Sequence, residues 1–265
     1  MGSGGGEQPR GRLIAIAVVA LLAFGLGVYW FLGRDVEEPP VEIVEEVPEI
    51  VPSSPAPVEP EPASVEVPSL DESDGFVRNL IGTLSSHPSL AAWLVSDGIV
   101  RRFVVVVDNV ADGSNPAQHV TFMRPESRFQ TTADGTTHRV DPQSYRRYDL
   151  HAQIVDSLDT QGAADLYMML EPLIGEAYAE LGNPDRAFIQ TLERAIISLL
   201  RVPVVNDPPQ LIEYAPFFHY ADERLESLTP AQKQLLGMGP GNVRTIQAKL
   251  RQLALAVGIS DSRLP

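Results

Sequence analysis

Residues 98–110 read GIVRRFVVVVDNV, and the period assigned to this stretch decides the fold. Four consecutive valines suit a strand, whose pleated surface accommodates β-branched side chains. Ile99, Val100, Phe103, Val104 and Val107, however, trace one face of a helix, because positions three and four apart meet at 3.6 residues per turn. The helical period is adopted. With it, residues 75–265 form a mainly α domain, long enough to bury a core of its own.

Proline marks the starts of further helices, since its missing N–H has no intrahelical partner at the first helical position. His87-Pro88, Asp141-Pro142, Asn183-Pro184, Thr229-Pro230 and Gly239-Pro240 all read this way. Thr229-Pro230-Ala231-Gln232 also has the spacing of a capping box. Leu166, Met169, Leu170, Leu173, Ile174, Ala177 and Leu181 recur at helical spacing, and Pro172 among them predicts a kink or two shorter helices. RFQTTADGTTHRV, residues 128–140, alternates weakly around Asp134-Gly135 and predicts a small β-hairpin. PVVNDPPQLIEYAPFFHY, residues 203–220, predicts an irregular wrap with one short strand at 211–214.

The opposite end of the chain has a different character. Residues 13–32, LIAIAVVALLAFGLGVYWFL, carry no charge and are long enough at helical rise to cross a hydrocarbon core of roughly 30 Å. The run ends in bulky Tyr29, Trp30, Phe31 and Leu32 rather than a small-residue cleavage site, so it reads as a retained anchor. Arg10 and Arg12 precede it and no Lys or Arg lies between Arg34 and Arg78, which places residues 1–12 in the cytoplasm and everything beyond the span outside it. Residues 33–74 form an acidic spacer: from Asp35 to Asp74 there are nine Pro, ten Glu, three Asp and no basic residue. Proline and like-charge repulsion favour a disordered but extended chain, able to reach roughly 120 Å. Most of the net charge of −15 belongs to this spacer.

Four stretches of the exported domain, RRFVVVVDN, DPQSYRRYD, YAELGNPDRAF and LTPAQKQLLGMGPGN, resemble the bacterial family called domain of unknown function 3014, over residues 76–257. The resemblance implies a single-span Gram-negative inner-membrane protein whose domain lies in the periplasm. It implies no activity and carries over no catalytic residue.

Chemistry is sparse. There is no cysteine, so thiol nucleophiles, disulfides and Cys-based metal sites are excluded. His87, His119, His138, His151 and His219 have no metal-ligand spacing, and no hydrolase or phosphate-loop motif occurs. No catalytic residue, metal or cofactor is expected. Glu126-Ser127 and Glu226-Ser227 leave open a cell-wall glycosidase with a carboxylic acid at its centre.

Two surface candidates remain. In DPQSYRRYDLH, a helix starting at Pro142 puts Tyr145 and Tyr148 on one face, with Arg146 and Arg147 beside them. Such a group can stack a sugar or hold a carboxylate or phosphate, and the competing reading packs the tyrosines into the core. Phe217, Phe218, His219 and Tyr220 present the same choice and read as a core plug. In LLGMGPGNVRTI, residues 235–246, Gly237, Gly239 and Gly241 ahead of a helix resemble a helix-hairpin-helix DNA contact. Arg244, Lys249 and Arg251 would supply counter-charge for a polyanion. The simpler reading makes Gly237 a helix stop, Gly239 a turn and Pro240 a restart. Together these features predict a tethered periplasmic binding or scaffolding module. Its partners would be the bilayer, through the span, and an envelope protein or cell-wall component. DNA or polyanion binding is the alternative.

Overall fold

The computed structural model describes residues 67–94, 97–214 and 217–265. The expected cytoplasmic terminus, the span at 13–32 and the spacer up to residue 66 lie outside the described residues. Within those described, no helix is long and apolar enough to cross a membrane.

The valine-rich stretch is a helix. Among the described residues nine α-helices run in order: α1 (Ser73–Gly82), α2 (Leu90–Trp93), α3 (Ile99–Ala111), α4 (Asp149–Asp156), α5 (Thr160–Glu180), α6 (Phe188–Leu200), α7 (Glu223–Glu226), α8 (Pro230–Leu236) and α9 (Pro240–Ala256). The predicted face of α3 is buried at Ile99, Val100, Phe103, Val104 and Val107, and Val106 and Val110 widen it. A stripe this wide cannot end at a sheet surface, so α3 packs against α1, α5 and α6. Helix α9 closes the bundle against α4, α5 and α6. Phe103 and Tyr178 both set their rings on Phe188, at centroid separations of 5.5 and 5.2 Å.

The fold reaches further toward the N-terminus than residue 75. Leu70 is buried in the core. The Asp74 carboxylate accepts from the backbone N–H groups of Gly98 and Ile99 at 2.6 and 2.8 Å. The acidic character that groups Asp74 with the spacer is here the cap of the central helix, where two free N–H groups favour an anion.

The proline signals divide by what surrounds them. Thr229 makes the full capping box with Gln232 and Pro230 opens α8, while Pro240 opens α9. Pro142 opens a 3-10 helix, Pro142–Tyr148, capped by Asp141. Pro88 and Pro184 instead sit second in turns, closed by Leu90 N–H to His87 O and Arg186 N–H to Asn183 O. Proline's fixed φ suits that turn position as well as a helix start, and sequence does not separate the two. Helix α5 runs through Pro172 without dividing into two. Pro172 and Met168 both lie on the exposed side, so the Met168 carbonyl that loses its N–H partner faces water. Leu181, at the end of the predicted stripe, is exposed.

The largest departure is the sheet. The expected hairpin forms as β1 (Thr131–Asp134) and β2 (Thr137–Val140), with Asp134 opposite Thr137. A second hairpin, β3 (Gln210–Tyr214) and β4 (Phe217–Tyr220), joins it through His138 opposite Leu211. The result is one four-stranded antiparallel sheet in the order β1-β2-β3-β4. The wrap expected at 203–220 thus supplies two strands, not one. Phe217 and Phe218 are 51% and 36% exposed rather than a core plug. Residues 67–265 therefore form a mainly helical body carrying a small sheet on its side.

Candidate functional site

The 3-10 helix Pro142–Tyr148 organises a candidate site. At three residues per turn its side chains stack in three columns. The column of Tyr145 and Tyr148 faces inward: Tyr148 is buried and accepts a hydrogen bond from Gln234 Nε2 at 3.3 Å. Tyr145 is half-buried, and burial raises its phenol pKa. The column of Gln143 with Arg146 faces outward, whereas in the third column Ser144 is buried and Arg147 half-buried. Both columns meet Ser127, Arg128 and Gln130 around an open pocket of about 270 Å³. Among the described residues, three guanidiniums and no carboxylate line it.

Arg147 is fixed before any ligand arrives. Its Nε–H donates to Ser144 O at 2.8 Å and its Nη1 to Ser127 O at 3.4 Å. The guanidinium carbon lies 5.5 Å from the Phe129 ring centroid and 5.2 Å from that of Tyr148, close enough for cation–π attraction on both sides. Phe129 in turn meets Phe218 of β4, which meets His138 of β2, at 6.5 and 5.4 Å. Ser144 ties the helix to the start of β1: its hydroxyl donates to Gln130 O at 2.9 Å and accepts from Gln130 N–H at 2.7 Å. Arg146 is exposed and, among the described residues, its side chain makes no ion pair or hydrogen bond.

The glycine hairpin is brought against this helix, but not as an anion site. Gly239 adopts φ +87°, and a Cβ placed there would lie 2.3 Å from Cγ of Tyr145. The tyrosine ring occupies the face by which a phosphate would approach. Gly237 is the C-cap of α8 and Pro240 restarts the chain as α9; Gly241 faces open space. Asn242 Nδ2 donates to Tyr145 O and to Asp149 Oδ1 at 3.1 and 3.0 Å. The hairpin is a clamp on the tyrosine column. Arg244 is hydrogen-bonded to Asn206 Oδ1, and Arg251 pairs with Asp261 at 2.6 Å. Lys249 is 7% exposed and donates to Leu158 O at 2.8 Å, so its charge faces the interior rather than a polyanion. Its position was legible: Val243, Ile246, Lys249, Leu250 and Leu253 form one stripe, and residue 249 falls within it.

The profile of a family described as protein of unknown function, DUF3014, matches residues 99–254. The chain belongs to the DUF3014 family. No curated relative and no solved structure matches it. The DUF3014 match runs from the start of α3 almost to the end of α9. It therefore contains the arginine pocket, the glycine clamp and all four strands.

The carboxylates singled out for glycosidase chemistry serve other ends in the DUF3014 domain. Burial works against ionisation of Glu226, but Lys233, the Tyr220 N–H and His219 all bind its carboxylate. Together they pull its pKa down to about 2. A glycosidic general acid needs the opposite shift, upward toward neutrality. Glu226 instead ties β4 to α8, through Tyr220 N–H at 2.9 Å and Lys233 Nζ at 2.5 Å. Glu126 is exposed on a loop. His151 lies between the rings of Trp93 and Tyr148, and its Nε2–H donates to Met123 O at 2.6 Å. Burial, which disfavours the charged ring, lowers its pKa despite that bond. Among the described residues, no group of three His, Asp or Glu is placed to hold a metal ion.

Proposed function

We propose that this protein is a membrane-tethered periplasmic binding module that holds an envelope partner through a carboxylate or phosphate group. The observation that carries the reading is the pocket of Arg128, Arg146 and Arg147. Among the described residues no carboxylate lines it, although the chain as a whole is acidic, with a net charge of −15. A guanidinium offers a planar fork of donors matched to both anions. Arg147 is already oriented, so less rotamer entropy is lost on binding than with a free side chain. The sequence of residues 13–32 supports the tether, and the Pro/Glu spacer supports projection away from the bilayer.

The test is a titration of the detergent-solubilised full chain with inorganic phosphate and with a short peptide bearing a free C-terminal carboxylate. One of the two is expected to bind with an affinity that falls as salt is added. Arg146→Gln should weaken it about tenfold, equivalent to the roughly 1.4 kcal/mol of one charge-assisted hydrogen bond. Binding unchanged by Arg146→Gln overturns the pocket reading. Topology is tested separately: a reporter fused after Pro265 is expected to be active only if it works outside the cytoplasm, and cytoplasmic activity overturns the periplasmic assignment.

A further inference from the structure

The arginine pocket has an apolar neighbour. Gln130 O accepts from Asp141 N–H at 3.1 Å, so the ladder of β1 and β2 continues one residue before Thr131. Side chains two apart on an extended chain share a face, which puts Phe129 on the face of Ala133, whose partner across the ladder is His138. Leu211 lies opposite His138, and Glu213, two residues on, lies opposite Phe218, so Phe218 belongs to that face as well. The rings of Phe129, Phe218 and His138 meet there. Phe129 and Phe218 nevertheless stay 42% and 36% exposed. They form a ledge that begins where the Arg147 guanidinium carbon stands 5.5 Å from the Phe129 centroid.

The pocket itself is small. At about 270 Å³ it falls below the roughly 300–1,000 Å³ of sites that enclose a whole small molecule, so it suits the end group of something larger. Gln130 and Gln143 line it, and among the described residues their side-chain amides make no hydrogen bond. Each amide offers donors and an acceptor, whereas a fully ionised phosphate can use only the donors. The end of a polypeptide uses both, through its carboxylate and its last backbone N–H.

Resting on the anion-binding reading of the same pocket, we propose that the anion is the free C-terminal carboxylate of a partner polypeptide, bound by Arg146 and Arg147, and that the last side chain of that partner, aromatic or aliphatic, lies on Phe129 and Phe218. One residue carries both groups on a single Cα, so a carboxylate at Arg147 sets its own side chain beside the Phe129 ring. A phosphate ester has no counterpart to this pairing, because every atom bonded to its phosphorus is an oxygen. Glu213, opposite Phe218, places a carboxylate beside the ledge and disfavours an acidic last side chain. Arg146 is exposed and makes no ion pair among the described residues, so it is available to the carboxylate, while Arg147 is already oriented.

The probes are four-residue peptides ending in Phe, in Ala or in amidated Phe, together with inorganic phosphate, each titrated into the detergent-solubilised full chain. The Phe-ended acid is expected to bind about tenfold tighter than the Ala-ended acid, the gain from covering part of one aromatic side chain, and the amidated peptide is expected not to bind. Phe129→Ala and Phe218→Ala should each reduce the preference for Phe over Ala. The comparison of the three peptides on the parent chain stands whatever the variants do to the fold. Equal affinities of the Phe- and Ala-ended acids, or of acid and amide, overturn the inference, and so does a preference that survives in both variants. Phosphate binding that Arg146→Gln weakens, with neither acid bound, overturns it and leaves the pocket reading standing. Failure of phosphate and of both acids to bind overturns the pocket reading and this inference with it.

Discussion

Gly239→Val is expected to lower the unfolding free energy of the domain by roughly 2–5 kcal/mol, a large part of the 5–15 kcal/mol typical of a folded domain. Two costs combine. At φ +87° and ψ 161°, a region essentially confined to glycine, an L side chain is strained by about 2 kcal/mol, and a β-branched one is a genuine outlier there. The added carbons also drive into Tyr145, whose Cγ stands 2.3 Å from the nearest possible Cβ; overpacking of this kind costs about 1–3 kcal/mol. Urea or thermal unfolding measures the sum. The Gly239→Ala/Tyr145→Ala chain removes the ring, leaving the contact with the residue-145 Cβ at 2.7 Å and the backbone strain, so it should recover part of the loss relative to Gly239→Ala alone. A Gly239→Val chain that melts like the parent would show that Tyr145 does not pack on the hairpin. The DNA-binding alternative expects a different outcome, a normally folded domain that has lost a phosphate contact.

This contact marks where the sequence could be read and where it could not. Local signals were legible: the amphipathic face of α3, the capping box at Thr229, the turn at Gly135 and the stop, turn and restart at Gly237, Gly239 and Pro240. Each is written within a dozen residues, so a period or a cap suffices to find it. The sheet was not legible as a whole. Its two hairpins lie about seventy residues apart, and nothing within Phe217–Tyr220 says that these aromatics line a strand instead of the core. The same limit applies to the candidate site. In DPQSYRRYDLH, the split of the tyrosines inward and the arginines outward follows once the three-residue period of a 3-10 helix replaces the expected 3.6. Arg128, however, enters the pocket only because Ser144 bonds Gln130. That pairing spans 14 residues of loop and hairpin and leaves no periodic trace.

The second large effect is expected at Lys249, where charge and burial pull in opposite directions. Its ammonium reaches the carbonyl of Leu158, two residues beyond the end of α4, so it acts as a cationic cap on a helix C-terminus from within the core. Lys249→Met keeps the aliphatic stem and gives up one charge-assisted hydrogen bond, leaving the Leu158 carbonyl without that donor; the cost should be about 1–3 kcal/mol. Lys249→Glu is worse, because a carboxylate cannot donate to that carbonyl and would bury an unpaired anion. A loss of roughly 3–5 kcal/mol is expected, enough to leave many domains unfolded at working temperature. Denaturant unfolding of the two variants ranks them directly. The polyanion reading of the hairpin requires the reverse pattern: both variants fold normally, and both lose affinity for duplex DNA in proportion to the charge removed. Equal stability of parent, Met and Glu chains would place the ammonium in solvent and return Lys249 to the list of surface cations. A graded loss, modest in the Met chain and steep in the Glu chain, assigns the positive charge of α9 to holding α4 and α9 together.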